Sequence, residues 1–111
     1  MRNVRILFAV AAILQLAAVQ SLAATDWRLY HRIGGVNLNY YCQKTYGGEF
    51  KSVLVGNTAG DWTCQRNQND RREISVENAC RLQYNRNDLK AWATDWNNPL
   101  SWVCMKPRSH Y

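Results

Sequence analysis

Four cysteines, Cys42, Cys64, Cys80 and Cys104, constrain this chain more than any other feature. They are separated by 21, 15 and 23 residues. Structural zinc sites usually draw their ligands from short pairs such as C-x2-C, so this wide spacing argues for a disulfide framework rather than a metal centre. An even count in a short chain supports the same reading, provided the chain reaches an oxidising compartment. Four cysteines admit three pairings, and spacing alone chooses none of them.

The compartment is read from the first two dozen residues. Arg2 and Arg5 precede an apolar run from Ile6 to Leu16, interrupted only by Gln15, and small residues follow. That is the layout of a secretory signal peptide. Ser21 and Ala23 occupy the small-residue positions needed for cleavage after Ala23. An uncleaved anchor is the competing reading, but the run falls well short of the ~20 apolar residues that span a bilayer. The expectation is a leader over residues 1–23 and a single domain over 24–111, secreted or periplasmic, with no membrane span once the leader is gone. Removing Arg2 and Arg5 from the 14 basic residues leaves 12 against 8 acidic ones, a net charge of +4. The signs alternate along the chain, so the charge reads as a solvated surface with weak attraction to anionic polymers.

An internal correspondence helps to choose the pairing. VNLNYYCQKTY from Val36 and ISVENACRLQY from Ile74 match in their apolar and polar pattern, with Cys and then Tyr at the same places. Each segment leads to Trp-x-Cys, as Trp62 to Cys64 and Trp102 to Cys104, with Asn57 and Asn97 five residues before the tryptophan. The chain reads as two degenerate copies of one unit, about 36–64 and 74–104. Asn37 and Ser75 are good helix N-caps, Val36 and Ile74 sit in the staple position, and Gly47 and Asn85 are C-terminal stops. Leu38, Cys42 and Tyr46 share a helix face by their spacing of four, as do Val76, Cys80 and Tyr84. Ser52–Gly56 and Asp61–Gln65 read as a hairpin around the turn formers Asn57 to Gly60. In the second copy Leu89–Trp96 reads as a strand or a helical turn, and Ser101–Met105 as a strand. Asp26–Ile33 reads as an edge strand and Lys106–Tyr111 as a loose tail. If each copy closes its own loop, the bonds are Cys42–Cys64 and Cys80–Cys104. The predicted fold class is α+β, a small disulfide-stabilised domain built from two helix-plus-strand repeats.

The order Tyr41-Cys42, Trp62 to Cys64, Ala79 to Tyr84 and Asn98 to Cys104 resembles a group of small exported bacterial domains, largely actinobacterial, with the pattern YC, WxC, ACRxQY and NPxSWxC. The resemblance covers nearly all of residues 24–111. It implies the compartment and the disulfide-tied fold, and carries no established activity.

Catalytic signals are weak. The histidines are His31 near the start of the domain and His110 one residue from its end, where a general base is poorly held. His31 reads as a surface or cap residue. Gly34-Gly35 and Gly47-Gly48 lack the offsets and lysine of a phosphate loop and fit turns or caps. Asp88 and Asp95 flank Trp92 and form the one candidate carboxylate pair of a small hydrolase; acids so spaced are usually solvated. Nothing calls for a cofactor or a metal.

Aromatic residues are the richer signal, because all five tryptophans, all six tyrosines and Phe50 fall within 24–111. Trp62 and Trp102 should share the cysteine face and pack on the disulfides, and Tyr46 and Tyr84 should be core residues with hydrogen-bonded hydroxyls. Trp92 and Trp96 lie where the two copies diverge, among Asp95, Asn97 and Asn98. Flat rings beside carboxylate and amide groups suit a sugar, whose CH groups stack while its hydroxyls find polar partners; the plainer reading makes these rings core. Residues 65–72, with Arg66, Arg71 and Arg72, could meet an anion but read as an ordinary solvated loop, and nucleic acid is not expected outside the cell. The function expected is a non-catalytic binding module for a glycan or envelope polymer through Trp92, Asp95, Trp96 and Asn97. A secreted protein-binding factor or enzyme inhibitor, and a small hydrolase, are the rivals.

Overall fold

The structure, a computed structural model, describes residues 25–109, so the leader and His110 lie outside the described residues. A short 3-10 helix, Trp27–Leu29, leads into β1 (Tyr30–Gly34). Then come α1 (Leu38–Tyr46), β2 (Lys51–Leu54), β3 (Trp62–Asn67), β4 (Asp70–Glu73), α2 (Val76–Tyr84), β5 (Lys90–Ala93) and β6 (Trp102–Pro107). The predicted α+β class holds. Among the described residues no helix is long and apolar enough to cross a membrane.

Both helices begin and end where the sequence places their caps. The Asn37 side chain accepts from Tyr40 N at 3.0 Å and the Ser75 hydroxyl accepts from Asn78 N at 3.2 Å. Each bond satisfies an amide that the first helical turn leaves without a partner. At the other ends Gly47 (φ 130°) and Asn85 (φ 53°) adopt left-handed backbone that stops the helix. The buried face is Leu38, Tyr41 and Cys42 on α1, and Ala79 and Cys80 on α2.

The strands form two antiparallel three-stranded sheets, ordered β2-β3-β4 and β1-β6-β5. Each half of the chain runs strand, helix, strand, strand, and the first strand of each half pairs with the last strand of the other. Registers agree as well. Cys64 stands between Ser52 and Arg72, and Cys104 between Ala91 and Gly34. The disulfides are Cys42–Cys64 and Cys80–Cys104, with Cα separations of 5.3 and 5.6 Å, as the two-unit pattern predicted. All four cysteines are fully buried. Leu38, Tyr41, Phe50 and Ala79 surround the first disulfide, whereas Leu89 is the one other buried member of the cluster around the second.

The expected tyrosine bonds are present, and they cross between the halves. Tyr46 Oη donates to the Glu73 carbonyl at 2.9 Å, and Tyr84 Oη donates to the Gly35 carbonyl at 2.8 Å. Each acceptor lies just before the N-cap of the opposite helix. The two bonds thus run in opposite directions between the halves.

Two local expectations are corrected, and one left open is decided. Residues 65–72 are not a plain loop, because they end β3 and supply most of β4. Asp70 holds that hairpin by binding Arg66 at 3.0 Å and Arg72 at 2.8 Å, and the guanidinium of Arg72 lies over the Tyr46 and Phe50 rings. A segment polar on both sides gives no alternation to read, and it became a strand because β3 offered it an edge. Lys106 and Pro107 likewise extend β6 opposite His31 and Tyr30 instead of starting a loose tail. The Leu89–Trp96 segment is resolved as strand β5 over Lys90–Ala93, with Leu89 fully buried.

Candidate functional site

Trp62 and Trp102 sit at equivalent places in β3 and β6, two residues before a disulfide cysteine and on its side of the sheet. Both are half-buried; Trp62 packs against the buried cluster that holds Cys42 and Cys64, as expected, while part of each indole stays open to solvent. Trp62 Nε1 donates to the Pro99 carbonyl at 2.8 Å and Trp102 Nε1 donates to the Ala59 carbonyl at 2.6 Å. Each indole thus grips the loop of the opposite half. A half-buried indole with its one donor satisfied offers an apolar face and edge to whatever enters beside it.

Two clefts flank this tryptophan pair. The first, of about 340 Å³, is bounded by Gly60, Ser75, Val76, Glu77 and Ala91 besides the two indoles. The second, of about 370 Å³, is bounded by Asn37, Leu38, Asn39, Ser52 and Leu100 besides the same two. The linings correspond across the halves. Ser75, Val76 and Glu77 take the places of Asn37, Leu38 and Asn39, Gly60 that of Leu100, and Ala91 that of Ser52. Both volumes are near the small end of ordinary ligand pockets, ~300 to 1,000 Å³.

Trp96 stands beside the first cleft, against Trp102 and Gly60, two of the residues that line it. Its ring meets Trp102 edge-on at 6.2 Å, and a methyl group added at Gly60 would lie 2.6 Å from its ring carbons. Its carbonyl accepts from Ala59 N at 2.9 Å, which ties the two loops together. Within its own loop the Ser101 hydroxyl donates to the Asp95 carbonyl at 2.7 Å, and Asp95 Oδ1 accepts from Asn97 N at 3.0 Å. Asp95, Trp96 and Asn97 are therefore neighbours in one hydrogen-bonded turn with Trp96 55% exposed.

Trp92 does not join them. It stacks on Trp27 at 5.4 Å with the planes 20° apart. In β5 it alternates with Ala91, which lines the first cleft, so Trp92 lies on the other face of the sheet. The four-residue spacing that would align Trp92 and Trp96 on a helix separates them here, because a strand ends between them.

Charges around the clefts are committed to local partners. Glu77 pairs with Arg81 at 3.2 Å and stands 3.9 Å from Lys90 Nζ. Asp61, in the loop carrying Ala59 and Gly60, accepts from the Thr58 amide and hydroxyl at 2.9 Å each, and those donors hold its carboxyl below the ordinary carboxylate value. Asp88 is bound by Arg86 at 2.6 Å, a bond that lowers its pKa. A carboxyl held that way is a poor proton donor near neutrality, and Asp95 Oδ1 is occupied by the Asn97 amide. His31 lies in β1 opposite Lys106. Among the described residues no group of three His, Cys, Asp or Glu side chains is placed to hold a metal ion.

Sequence reasoning missed Trp62 and Trp102 as cleft residues because their strand position marks them as core. It read Asn37 and Ser75 as helix caps alone. The signal that could have found the site is that these positions match between the halves while their neighbours differ. No family model, curated protein or solved structure matches this chain.

Proposed function

We propose that the domain is a non-catalytic binding module acting outside the cytoplasm, with a glycan or other envelope polymer as its ligand and the first cleft as its principal site. The observation that carries this reading is a cleft walled by Trp62 and Trp102 and also lined by Ser75 and Glu77, with Trp96 packed edge-on against Trp102 beside it. Sugar rings ask for that combination, apolar faces for their CH groups and acceptors for their hydroxyls. The candidate contacts thereby shift from the Trp92 side to Trp96 with its neighbours Asp95 and Asn97. Export rests on the leader-like sequence, and the two disulfides agree with an oxidising compartment. The reciprocal indole and tyrosine bonds support a further part of the reading, that the two halves arose by duplication of one unit.

The test is tryptophan fluorescence of the oxidised domain, titrated with soluble cell-wall and matrix polysaccharides. Saturable quenching that is lost in Trp96→Ala and weakened in Glu77→Gln is the expected result. No response to any of these polymers, from protein with native circular dichroism, overturns the reading. One feature favours a protein ligand instead, because Leu100 at the rim of the second cleft is 80% exposed, and an exposed apolar anchor suits a peptide partner.

A further inference from the structure

The second cleft differs from the first in the sense of its hydrogen bonding. Asn37 Oδ1 is taken by Tyr40 N at 3.0 Å and Asn39 Oδ1 is taken by Ser52 N at 3.1 Å. Only the oxygen of an amide side chain can accept from a backbone N–H, so these bonds fix which end of each amide is which. Each asparagine keeps its NH2 for other use, and both line the second cleft. At the matching places the first cleft has Ser75, whose oxygen also caps a helix, and the Glu77 carboxylate, which only accepts. The first cleft thus carries a carboxylate acceptor, shared with Arg81, and the Ser75 O–H donor, a mixture suited to hydroxyl groups. The second offers amide donors beside an apolar wall of Val36, Leu38, Pro99 and Leu100.

A ligand that fits the second cleft carries a hydrogen-bond acceptor next to a small apolar group. The acetamido substituent of an N-acetylated amino sugar is such a group, with a carbonyl for the asparagine donors and a methyl for the wall. The same sugar has free hydroxyls for the Ser75 hydroxyl and the Glu77 carboxylate of the first cleft across the shared indoles. We infer that the second cleft is an acetamido-binding subsite, and that the polymer class the domain recognises is built from N-acetylated amino sugars. This inference rests on the glycan reading above and narrows it to one chemical class.

The discriminating experiment compares two neutral tetrasaccharides by fluorescence titration or calorimetry, the N-acetylglucosamine tetramer and cellotetraose, which has a hydroxyl in place of each acetamido group. The expected result is a preference of about tenfold or more for the acetylated tetramer, the size of one well-made hydrogen bond. Asn39→Asp and Asn37→Asp each retain an oxygen for Ser52 N or Tyr40 N and replace the NH2 donor with a carboxylate, so both should fold while losing most of that preference. Equal binding of the two sugars overturns the subsite and leaves the glycan reading standing. A preference unchanged in both variants overturns its placement in the second cleft. Binding of neither sugar, nor of any polysaccharide in the wider set, overturns the glycan reading itself, and binding to peptides in their stead moves the second cleft to a protein partner.

Discussion

Replacing Cys80 and Cys104 together by alanine removes the link between α2 and β6, and the consequence can be worked from the fold. The bond closes a separation of 24 residues, and the Cys42–Cys64 bond closes one of 22. In the chain-entropy treatment each is worth about 3 kcal/mol, and the lengths are too close to separate them by more than ~0.1 kcal/mol. Packing does separate them. Without the first bond, Leu38, Tyr41, Phe50 and Ala79 still form a buried cluster; without the second, Leu89 is its one remaining buried member. Both double variants should therefore lose about 3 kcal/mol in global stability, a large share of the ~5 to 15 kcal/mol typical of a domain. The Cys80/Cys104 variant should in addition open locally at α2 and β5. Urea unfolding followed by circular dichroism measures the first effect. With a slope near ~1 kcal/mol/M the midpoint falls by about 3 M, and the slope rises because an unlinked denatured chain is more expanded. Amide hydrogen exchange measures the second effect, as faster exchange in α2 than in α1. A loss below about 1 kcal/mol, or α2 amides protected as well as those of α1, would refute the reasoning.

The two tyrosine bonds across the halves should be of equal worth, so Tyr46→Phe and Tyr84→Phe should each cost about 1 kcal/mol in denaturant unfolding; a marked inequality would mean that the matching geometry conceals different energetics. Gly60→Ala should push Trp96 off Trp102 and forfeit an edge-to-face contact of ~0.5 to 1.5 kcal/mol, giving a small stability loss with a clear change in tryptophan emission and weaker polysaccharide binding. The Asp61 carboxyl has a folded-state pKa below its ordinary value of 3.8. Its contribution is complete above that unfolded value and is lost as the pH falls through the lower folded value. Thermal unfolding measured from pH 5 downward should accordingly lose stability faster in the wild type than in Asp61→Asn.

Much of the scaffold could be read from the chain because it is set by local chemistry. Asn37 and Ser75 stop one conformation and start another through their own side chains, and Gly47 and Asn85 accept backbone angles that other residues resist. The edge strand β4 and the last residues of β6 were harder to place. Asp70–Glu73 and Lys106–Pro107 carry no alternating pattern, and they are strands because a neighbour's open edge takes up their backbone groups. The candidate site was partly visible in Trp96, Asp95 and Asn97, adjacent residues that a single turn keeps together.

What the sequence determined by itself, then, was the local order of caps and stops and the α+β class, while the cysteine pairing followed only on the premise of two matched units. Only the tertiary structure decided that each half lends its first strand to the other's sheet and that Trp62 and Trp102 reach across to opposite carbonyls. It also stacked Trp92 on Trp27 while packing Trp96 edge-on against Trp102. The physical reason is range. A cap or a turn is settled by residues three or four apart, whereas the bonds from Trp62 to Pro99 and from Trp102 to Ala59 join positions 37 and 43 residues apart, and such contacts exist only once two sheets and two helices have closed around the disulfides.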